Sequence, residues 1–235
     1  MPPQRSRARS TRRSRTPAWT WWVVAAVVVV AVVVGVLVQQ SRSGTEQATV
    51  RRPTSAVGPN KGSLVGQASA PVTITEYGDF QCPVCARLHE AWSPTIDQLV
   101  QQGRARFEFV ALAFLDQGTT ESLRSAAASV CAADAGKFLE YENVLYTNQS
   151  STENSGFLTN QRLVTFGADA GITDPAFATC VDTGRFDGWV QQQTDAASRR
   201  GVTGTPTVLI NGRQISNTAA ADPAQLTALV DQASK

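Results

Sequence analysis

Residues 76–85, EYGDFQCPVC, place two cysteines two residues apart in a chain that has only four. Cys82 follows a predicted strand and directly precedes Pro83, and proline is favoured in the first turn of a helix. We therefore expect Cys82 at the N-cap of a helix, where backbone N–H groups have no partner within the helix. The positive end of the helix dipole favours a thiolate at that position, and the thiolate is the species that attacks disulfides.

Cys85 lies about one helical turn further along, close enough to form a small ring with Cys82. We expect Cys82 to be the nucleophile and Cys85 to be the more buried, resolving thiol. A zinc or copper site is the alternative for these residues together with His89, the only histidine of the chain. Zinc sites usually have four ligands, and the sequence has no second CxxC. For His89 we expect a packing or surface role, with modulation of Cys85 as the alternative.

Patterns of apolar residues predict strands and helices on both sides of the cysteine motif. A β-branched run predicts a strand at 71–78. Apolar residues at every third or fourth position predict a helix over 83–102, which Pro94 is expected to kink or restart. A second strand is expected at 105–114.

A long helical block follows, over residues 119–200. The helical pattern breaks at four places: Gly136, 154–156, Gly171 and Gly184. A strand at 205–212 then ends in an Asn-Gly turn, and Asp222 with Pro223 starts a last helix. The alternation of strands and helices predicts an α/β fold, a sheet covered by helices, with the helical block as an inserted lid or subdomain.

The first 38 residues have the composition of a membrane anchor. Residues 1–18 contain six arginines and no acidic residue, and residues 19–38 carry no charge. Such a helix spans about 30 Å, the thickness of the hydrocarbon core of a bilayer. The positive-inside rule places the basic tail in the cytoplasm and the rest of the chain outside. A cleaved signal peptide is the alternative, but its apolar region is usually only about 7–15 residues long.

A polar segment, residues 39–62, is rich in Gly, Ser, Thr and Pro and predicts a flexible linker. The exported domain is then expected to comprise residues 63–235. That domain has 11 Lys and Arg against 18 Asp and Glu, a net charge of −7. An acidic domain argues against DNA or RNA as its partner.

The two remaining cysteines, Cys131 and Cys180, both fall in the helical block. In an oxidising compartment, additional cysteines more often form a structural disulfide than stay free, so we expect a bond between them. Two buried free thiols are the alternative, because a sequence alone does not establish connectivity. The bond would close a loop of about fifty residues, which is worth on the order of 4 kcal/mol in loop-closure entropy.

The motif at 76–85, the helical block and GVTGTPTVLING (201–212) together resemble DsbA-type thiol–disulfide oxidoreductases of the thioredoxin superfamily. The resemblance covers nearly all of residues 63–235. It is strongest to the membrane-tethered branch found in Gram-positive and actinobacterial envelopes. It implies a thioredoxin-like fold with a helical insertion at about 119–200.

The same resemblance implies roles for three further residues. Thr205 and Pro206 match the loop in which a cis-proline faces the cysteines, so the Thr205 backbone is expected to bind an extended substrate peptide. An ordinary trans proline is the alternative. Glu76 matches a buried acid beneath the active site that exchanges a proton with Cys85. A solvent-facing glutamate fits the spacing equally well. One departure concerns Val84, which offers Cys82 neither a hydrogen bond nor a charge and so leaves the oxidising strength open.

These observations predict an enzyme without a cofactor, a protein thiol–disulfide oxidoreductase held in the cell membrane by a single span. Its domain would face the envelope and introduce disulfides into exported proteins that have free cysteines. A quinone-linked membrane reoxidant, of the DsbB or vitamin-K-epoxide-reductase type, is the second partner that the resemblance implies. The alternatives are a reductase or isomerase of the same fold and a tethered peptide-binding or chaperone module with an inert CxxC.

Overall fold

A five-stranded sheet organises the part of the chain described by the computed structural model, which comprises Trp19 and residues 50–235. The strands are β1 (Ser63–Val65), β2 (Val72–Gly78), β3 (Ala105–Ala111), β4 (Thr207–Ile210) and β5 (Arg213–Ile215). Their order in the sheet is β1-β3-β2-β4-β5. The central pair, β2 and β3, is parallel, and the other neighbouring pairs are antiparallel.

Helices cover this sheet and form the block between β3 and β4. They are α1 (Pro83–Gln101), α2 (Glu121–Asp134), α3 (Phe138–Thr147), α4 (Asn160–Asp169), α5 (Pro175–Asp182), α6 (Asp187–Arg199), α7 (Asn217–Ala221) and α8 (Pro223–Ala233). The predicted α/β fold with a helical insertion is confirmed, and the insertion breaks at the four predicted places. A disulfide between Cys131 and Cys180, with an S–S distance of 2.01 Å, joins α2 to α5.

Strand β3 ends at Ala111, three residues before the predicted end. The reason is that the backbone N–H groups after Ala111 donate to side-chain oxygens and not to a neighbouring strand. Thr194 Oγ1 accepts from Ala113 N at 3.1 Å, and Asp79 Oδ2 accepts from Phe114 N and Leu115 N at 2.9 and 3.1 Å. The chain therefore leaves the sheet beside the residues that precede the CxxC motif.

Helix α1 runs without interruption through Pro94, so the expected restart of the helix is wrong. Proline removes one backbone hydrogen bond from a helix. The buried face of α1 outweighs this loss by packing against the sheet and the helical block. Its apolar members are Leu88, Trp92, Ile96 and Leu99, all at most 4 % exposed.

Short elements were missed by the sequence analysis, because three to five residues carry too little periodicity to be recognised. They are β1, β5 and α7. The Asn-Gly turn that the sequence shows is nevertheless present between β4 and β5. Asn211 and Gly212 have φ angles of 47° and 80°, as the turn of a two-residue hairpin requires.

The C-terminal part of the predicted linker packs on the domain. The backbone N–H groups of Thr54 and Ser55 donate to Asp134 Oδ1, each at 2.8 Å. Further along, Asn60 N donates to Glu108 Oε1 at 2.7 Å. Contacts with the domain thus begin before its predicted first residue.

The predicted basic tail (1–18) and membrane helix (19–38) lie outside the described residues, apart from Trp19, and so do residues 39–49 of the predicted linker. Within the described part of the chain, no helix combines the length and apolar character needed to cross a bilayer. The anchor remains a prediction.

Candidate active site

Cys82 occupies the N-cap of α1, with Pro83 in the first turn. Its backbone is extended, with φ −74° and ψ 117°, and its own N–H donates to Asp79 O at 2.9 Å. Both Cys82 and Cys85 are free thiols in this structure, 6 % and 0 % exposed. The local sequence therefore places one sulfur at the end of the helix and the other inside the protein.

Hydrogen bonds to its sulfur lower the pKa of Cys82 from 9.0 to about 5. The largest cause is the bond from the Cys85 thiol, which outweighs the opposing effect of burial. Bonds from the Thr205 side chain and from the backbone N–H groups of Val84 and Cys85 act in the same direction. Cys82 is thus a thiolate at neutral pH.

Cys85 has the opposite tendency, because burial raises its pKa well above 9.0. Its hydrogen bond to Cys82 and the negative charge of Glu76 raise the pKa further. One sulfur of the pair is therefore ionised while the other holds its proton. This difference suits a nucleophile and a protonated partner.

Thr205 and Pro206 lie directly at Cys82. The peptide bond between them is cis, and the Cys82 Sγ lies 3.3 Å from the Thr205 carbonyl oxygen. Only a protonated sulfur can donate to that oxygen, so this bond stabilises the thiol form and acts against ionisation. The structure thus brings Thr205, Pro206 and the two cysteines together although the two sets lie far apart in sequence.

Glu76 lies on β2 and is completely buried, so the alternative of a solvent-facing glutamate is excluded. Neither of its carboxyl oxygens has a hydrogen-bond partner among the described residues. Burial, and secondly the negative charge of Cys82, raise its pKa from 4.5 to about 8. Glu76 therefore holds a proton near neutral pH close to the cysteine pair, and it can donate this proton to a nearby base.

Two residues that the sequence analysis missed hold the turn that carries Cys82. Asp79 accepts from Gln81 N at 2.9 Å and from Ser122 Oγ at 2.7 Å, in addition to its bonds with the segment after β3. Burial raises its pKa to about 6 despite these bonds. Its place just before the CxxC motif is the signal that could have identified it.

Gln149, just after α3, is the second missed residue. Its Nε2 donates to Phe80 O at 2.9 Å and to Cys82 O at 3.0 Å, so it fixes the backbone on both sides of Gln81. No motif surrounds Gln149, and nothing in the sequence indicated this contact.

An open cleft of about 680 Å³ adjoins Cys82. The residues that line it include Phe114, Leu115, Val202 and Thr205. Val84, the residue between the cysteines that offers no polar group, is 42 % exposed at the same cleft. The site therefore combines one reactive sulfur with an apolar surface and a backbone edge.

His89 lies buried between α1 and α3, at 6 % exposure, in the packing role expected for it. Its ring contacts that of Tyr146, with centroids 5.0 Å apart, and its Nε2 lies 3.3 Å from Asn143 Oδ1. Within residues 50–235 and Trp19, no group of three or more His, Cys, Asp or Glu side chains is arranged to hold a metal ion.

Known proteins share this fold and this site region. The sequence model of the Thioredoxin family matches residues 60–232. Among solved structures, the reduced form of the disulfide bond oxidoreductase DsbG from Mycobacterium tuberculosis superposes with a TM-score of 0.65 at 25 % identity. The superposition covers 75 % of this chain and 88 % of that one.

Two curated relatives differ in how much of their own length is matched. Disulfide bond formation protein D from Bacillus subtilis is 26 % identical over 162 residues, which are 66 % of this chain and 69 % of that protein. The Na(+)/H(+) antiporter NhaA 3 from Salinispora tropica is 29 % identical over 158 residues, which are 67 % of this chain but 23 % of the antiporter. This chain spans about a quarter of the antiporter, so that similarity concerns one segment of it.

Proposed function

We infer the function from the premise that the match over residues 60–232 establishes: the chain belongs to the thioredoxin family. The activity proposed for it is that of a membrane-anchored, envelope-facing thiol–disulfide oxidoreductase. The enzyme introduces disulfides into exported proteins through Cys82 and Cys85. Its similarity to proteins named for disulfide bond formation and disulfide oxidoreduction supports the reaction type.

One observation carries the proposal. Two adjacent thiols have pKa values shifted in opposite directions, that of Cys82 to about 5 and that of Cys85 well above 9.0. A thiolate with a low pKa is a good leaving group in disulfide exchange. The pair is therefore suited to being reduced by substrate thiols, which is the direction of an oxidase.

The reaction proceeds in two exchanges. A substrate thiolate attacks Cys82 Sγ of the oxidised enzyme, the Cys82–Cys85 bond breaks, and Cys85 leaves with the electron pair and takes a proton from Glu76. A second substrate thiolate then attacks the substrate sulfur of the mixed disulfide, and Cys82 leaves as a stable thiolate. Two electrons have passed from the substrate to the cysteine pair, and the substrate has gained a disulfide.

The cleft beside Cys82 is the proposed substrate site. An extended peptide would bond to the backbone of Thr205, while its side chains contact Phe114, Leu115 and Val202. Hydrogen bonds to the peptide backbone and apolar contacts discriminate weakly between substrate sequences. The main requirement for a substrate is therefore an exposed cysteine in an unfolded segment.

The membrane location is supported by the uncharged run at 19–38 and the arginines that precede it. A quinone-linked membrane partner, of the DsbB or vitamin-K-epoxide-reductase type, would take the two electrons from the reduced pair. Tethering raises the effective concentration of the domain near such a partner.

A trapping experiment tests the proposal. In the full chain expressed in an envelope, Cys85→Ser leaves Cys82 able to form mixed disulfides that residue 85 can no longer cleave, so adducts should accumulate and appear on non-reducing gels. Cys82→Ser is the matched control and should give none. Adducts that persist in Cys82→Ser, or their absence from both variants, would contradict the proposal.

The reduction potential then separates an oxidase from a reductase of the same fold. A potential close to that of thioredoxin would favour the reductase. Full biological activity of Cys82→Ser would instead favour a peptide-binding module with an inert CxxC.

A further inference from the structure

The cleft beside Cys82 has an acidic residue that the reaction proposed above does not use. Glu153, in the loop between α3 and α4, is exposed and lines this cleft together with Phe114, Leu115 and Val202. Among the described residues that line the cleft, it is the only one with a charged side chain while Cys82 is oxidised. The cleft is therefore uncharged except for one negative group.

The loop that carries Glu153 is tied to the turn before Cys82. The backbone N–H of the next residue, Asn154, donates to Gln81 Oε1 at 2.6 Å, and Gln81 directly precedes Cys82 in the chain. The Asn154 side chain forms a second link, because its Nδ2 donates to the carbonyl oxygen of Leu115 at 2.8 Å. Leu115 lines the same cleft. Asn154 thus joins the loop both to the reactive turn and to a lining residue.

A buried glutamate holds the other end of this loop. Glu121, at the start of α2, is 2 % exposed and accepts hydrogen bonds from the backbone N–H groups of Gly156 and Leu158, at 2.8 and 2.7 Å. The main chain that follows Glu153 is therefore bonded to two other parts of the fold. Because these bonds hold the main chain, Glu153 keeps a defined place at the cleft and loses little freedom when a peptide binds.

Glu153 has no cationic partner within the part of the chain that the structure describes. The ion pairs found there join His89 to Glu142, Arg104 to Asp231 and Lys137 to Glu140. An exposed glutamate carries a negative charge at neutral pH. Such a charge acts over about 10 Å at 0.1 M salt, so it reaches a peptide in the cleft whatever the exact orientation of the carboxylate.

We propose that Glu153 selects substrates in which a lysine or arginine lies near the reactive cysteine. The inference rests on the proposed function, because it concerns the same cleft. A cationic side chain within a few residues of the substrate cysteine would lie beside Glu153 while that cysteine attacks Cys82, and an acidic side chain there would be repelled. Because the cleft is open and water screens the pair, the preference is modest, about two- to fivefold.

Peptide oxidation tests the preference. The oxidised full chain in detergent is mixed with unstructured peptides that contain two cysteines and carry Lys, Gln or Glu at one of the three positions on either side of the first cysteine. The second-order rate constant for opening of the Cys82–Cys85 bond is measured for each peptide. At the most sensitive position, the ratio of the Lys to the Gln peptide should be about two- to fivefold higher for the unmodified chain than for Glu153→Gln. Comparing the same peptides between variants cancels the effect of the lysine on the peptide's own thiol.

Reversing the charge makes the test sharper. Glu153→Lys should favour the Glu peptide over the Lys peptide relative to the unmodified chain. In 1 M salt the charges act over only about 3 Å, so the differences between the variants should shrink. A preference that persists unchanged at high salt would contradict a role for the charge of Glu153.

Asp169→Asn is the matched control, since Asp169 is also exposed but does not line the cleft. It removes one negative charge from the domain and should keep the preference of the unmodified chain. Equal preferences in Glu153→Gln and the unmodified chain at every peptide position would overturn the inference. So would an equal loss in Asp169→Asn, because the preference would then come from the net charge of the domain.

The outcomes also separate this inference from the proposed function. Should Glu153→Lys fail to fold, the milder exchange Glu153→Gln decides. If the unmodified chain oxidises all the peptides but Glu153→Gln shows the same preferences, only the inference fails. If the unmodified chain oxidises none of the peptides, the proposed function itself fails.

Discussion

The sulfur of Cys82 lies 3.3 Å from the carbonyl oxygen of Thr205, which is 123 residues further along the chain. This contact belongs to the thiol, because a thiolate has no hydrogen to donate. Ionisation of Cys82 therefore releases the Thr205 carbonyl. In the proposed reaction the substrate meets the oxidised enzyme, whose Cys82 sulfur also has no hydrogen to donate, so that oxygen is free to accept an N–H group from the substrate peptide.

The low pKa of Cys82 depends on Cys85. Cys85→Ala removes the hydrogen bond that lowers the pKa most, so the pKa of Cys82 should rise from about 5 towards 9.0. The rate of alkylation of Cys82 as a function of pH measures it. Cys85→Ser keeps a hydroxyl donor and should shift the pKa less. Equal titration of both variants near 5 would show that another group stabilises the thiolate.

The two redox forms should differ in how their stability depends on pH. A pKa lowered from 9.0 to about 5 stabilises the reduced folded protein fully above pH 9, and the effect is lost as the pH falls through 5. The oxidised form has no Cys82 thiolate. We expect the reduced form to gain about 2 kcal/mol relative to the oxidised form between pH 5 and pH 7, measured by urea unfolding. A constant difference would contradict the shift.

Two buried glutamates on neighbouring strands should respond oppositely to replacement by glutamine. The pKa of Glu76, raised to about 8, means that its contribution is favourable below pH 4.5 and is lost as the pH rises to 8. Glu76→Gln should therefore stabilise the protein at pH 7, by roughly 2 to 3 kcal/mol, and should have little effect at pH 4. Thermal or urea unfolding at both pH values measures it.

Glu108→Gln is the matched control for this prediction. Glu108 is equally buried, but its oxygens accept hydrogen bonds from Asn60, Gly62 and Thr75. Loss of these charge-assisted bonds should cost about 2 to 3 kcal/mol. Destabilisation by both variants would mean that the Glu76 carboxyl has a favourable partner.

Gln149 should hold the backbone of the turn that carries Cys82 in place. Gln149→Ala leaves the carbonyls of Phe80 and Cys82 without their donor, at a cost of about 1 to 2 kcal/mol in the free energy of unfolding. Alkylation of Cys82 should also change, because its backbone is no longer held. Thr147→Ala, at an exposed neighbouring position, should leave both measurements unchanged, and a similar effect in the two variants would contradict the assignment.

Removal of the disulfide should destabilise the helical block. Replacing Cys131 and Cys180 with alanine opens a loop with a sequence separation of 49 and should cost about 4 kcal/mol in urea unfolding. The same replacement of Cys82 and Cys85 deletes two thiols but no disulfide of the reduced protein, and it should have a smaller effect. Equal losses would show that the bond adds nothing beyond its side chains.

The sequence predicted those parts of the fold and site that depend on local pattern. Cys82 is at a helix N-cap because Pro83 follows it after a strand, and the glycine-containing breaks end helices where expected. The helix over 83–102 was also predicted correctly, but Pro94 does not restart it, since the packing of a long buried face exceeds one lost hydrogen bond.

Features set by distant residues could not be predicted in this way. Strand β3 ends where the side chains of Asp79 and Thr194 accept hydrogen bonds from the next backbone N–H groups. These two residues lie 35 and 81 positions away from the donors. The complete burial of Glu76 is set by elements outside its own strand, and the role of Gln149 depends on a contact across 67 residues. Such relationships follow from the folded chain and not from any one segment.

Because the protein contains a disulfide between Cys131 and Cys180, each newly made molecule is itself a substrate for the disulfide formation proposed here. A newly made chain has four thiols, and its bond between α2 and α5 forms only when an oxidant removes two electrons from Cys131 and Cys180. An oxidised molecule of the same protein could serve as that oxidant. Existing molecules would then form the Cys131–Cys180 bond in each newly made chain. A cell that had lost its last mature copy would have to wait for a different oxidant to start again.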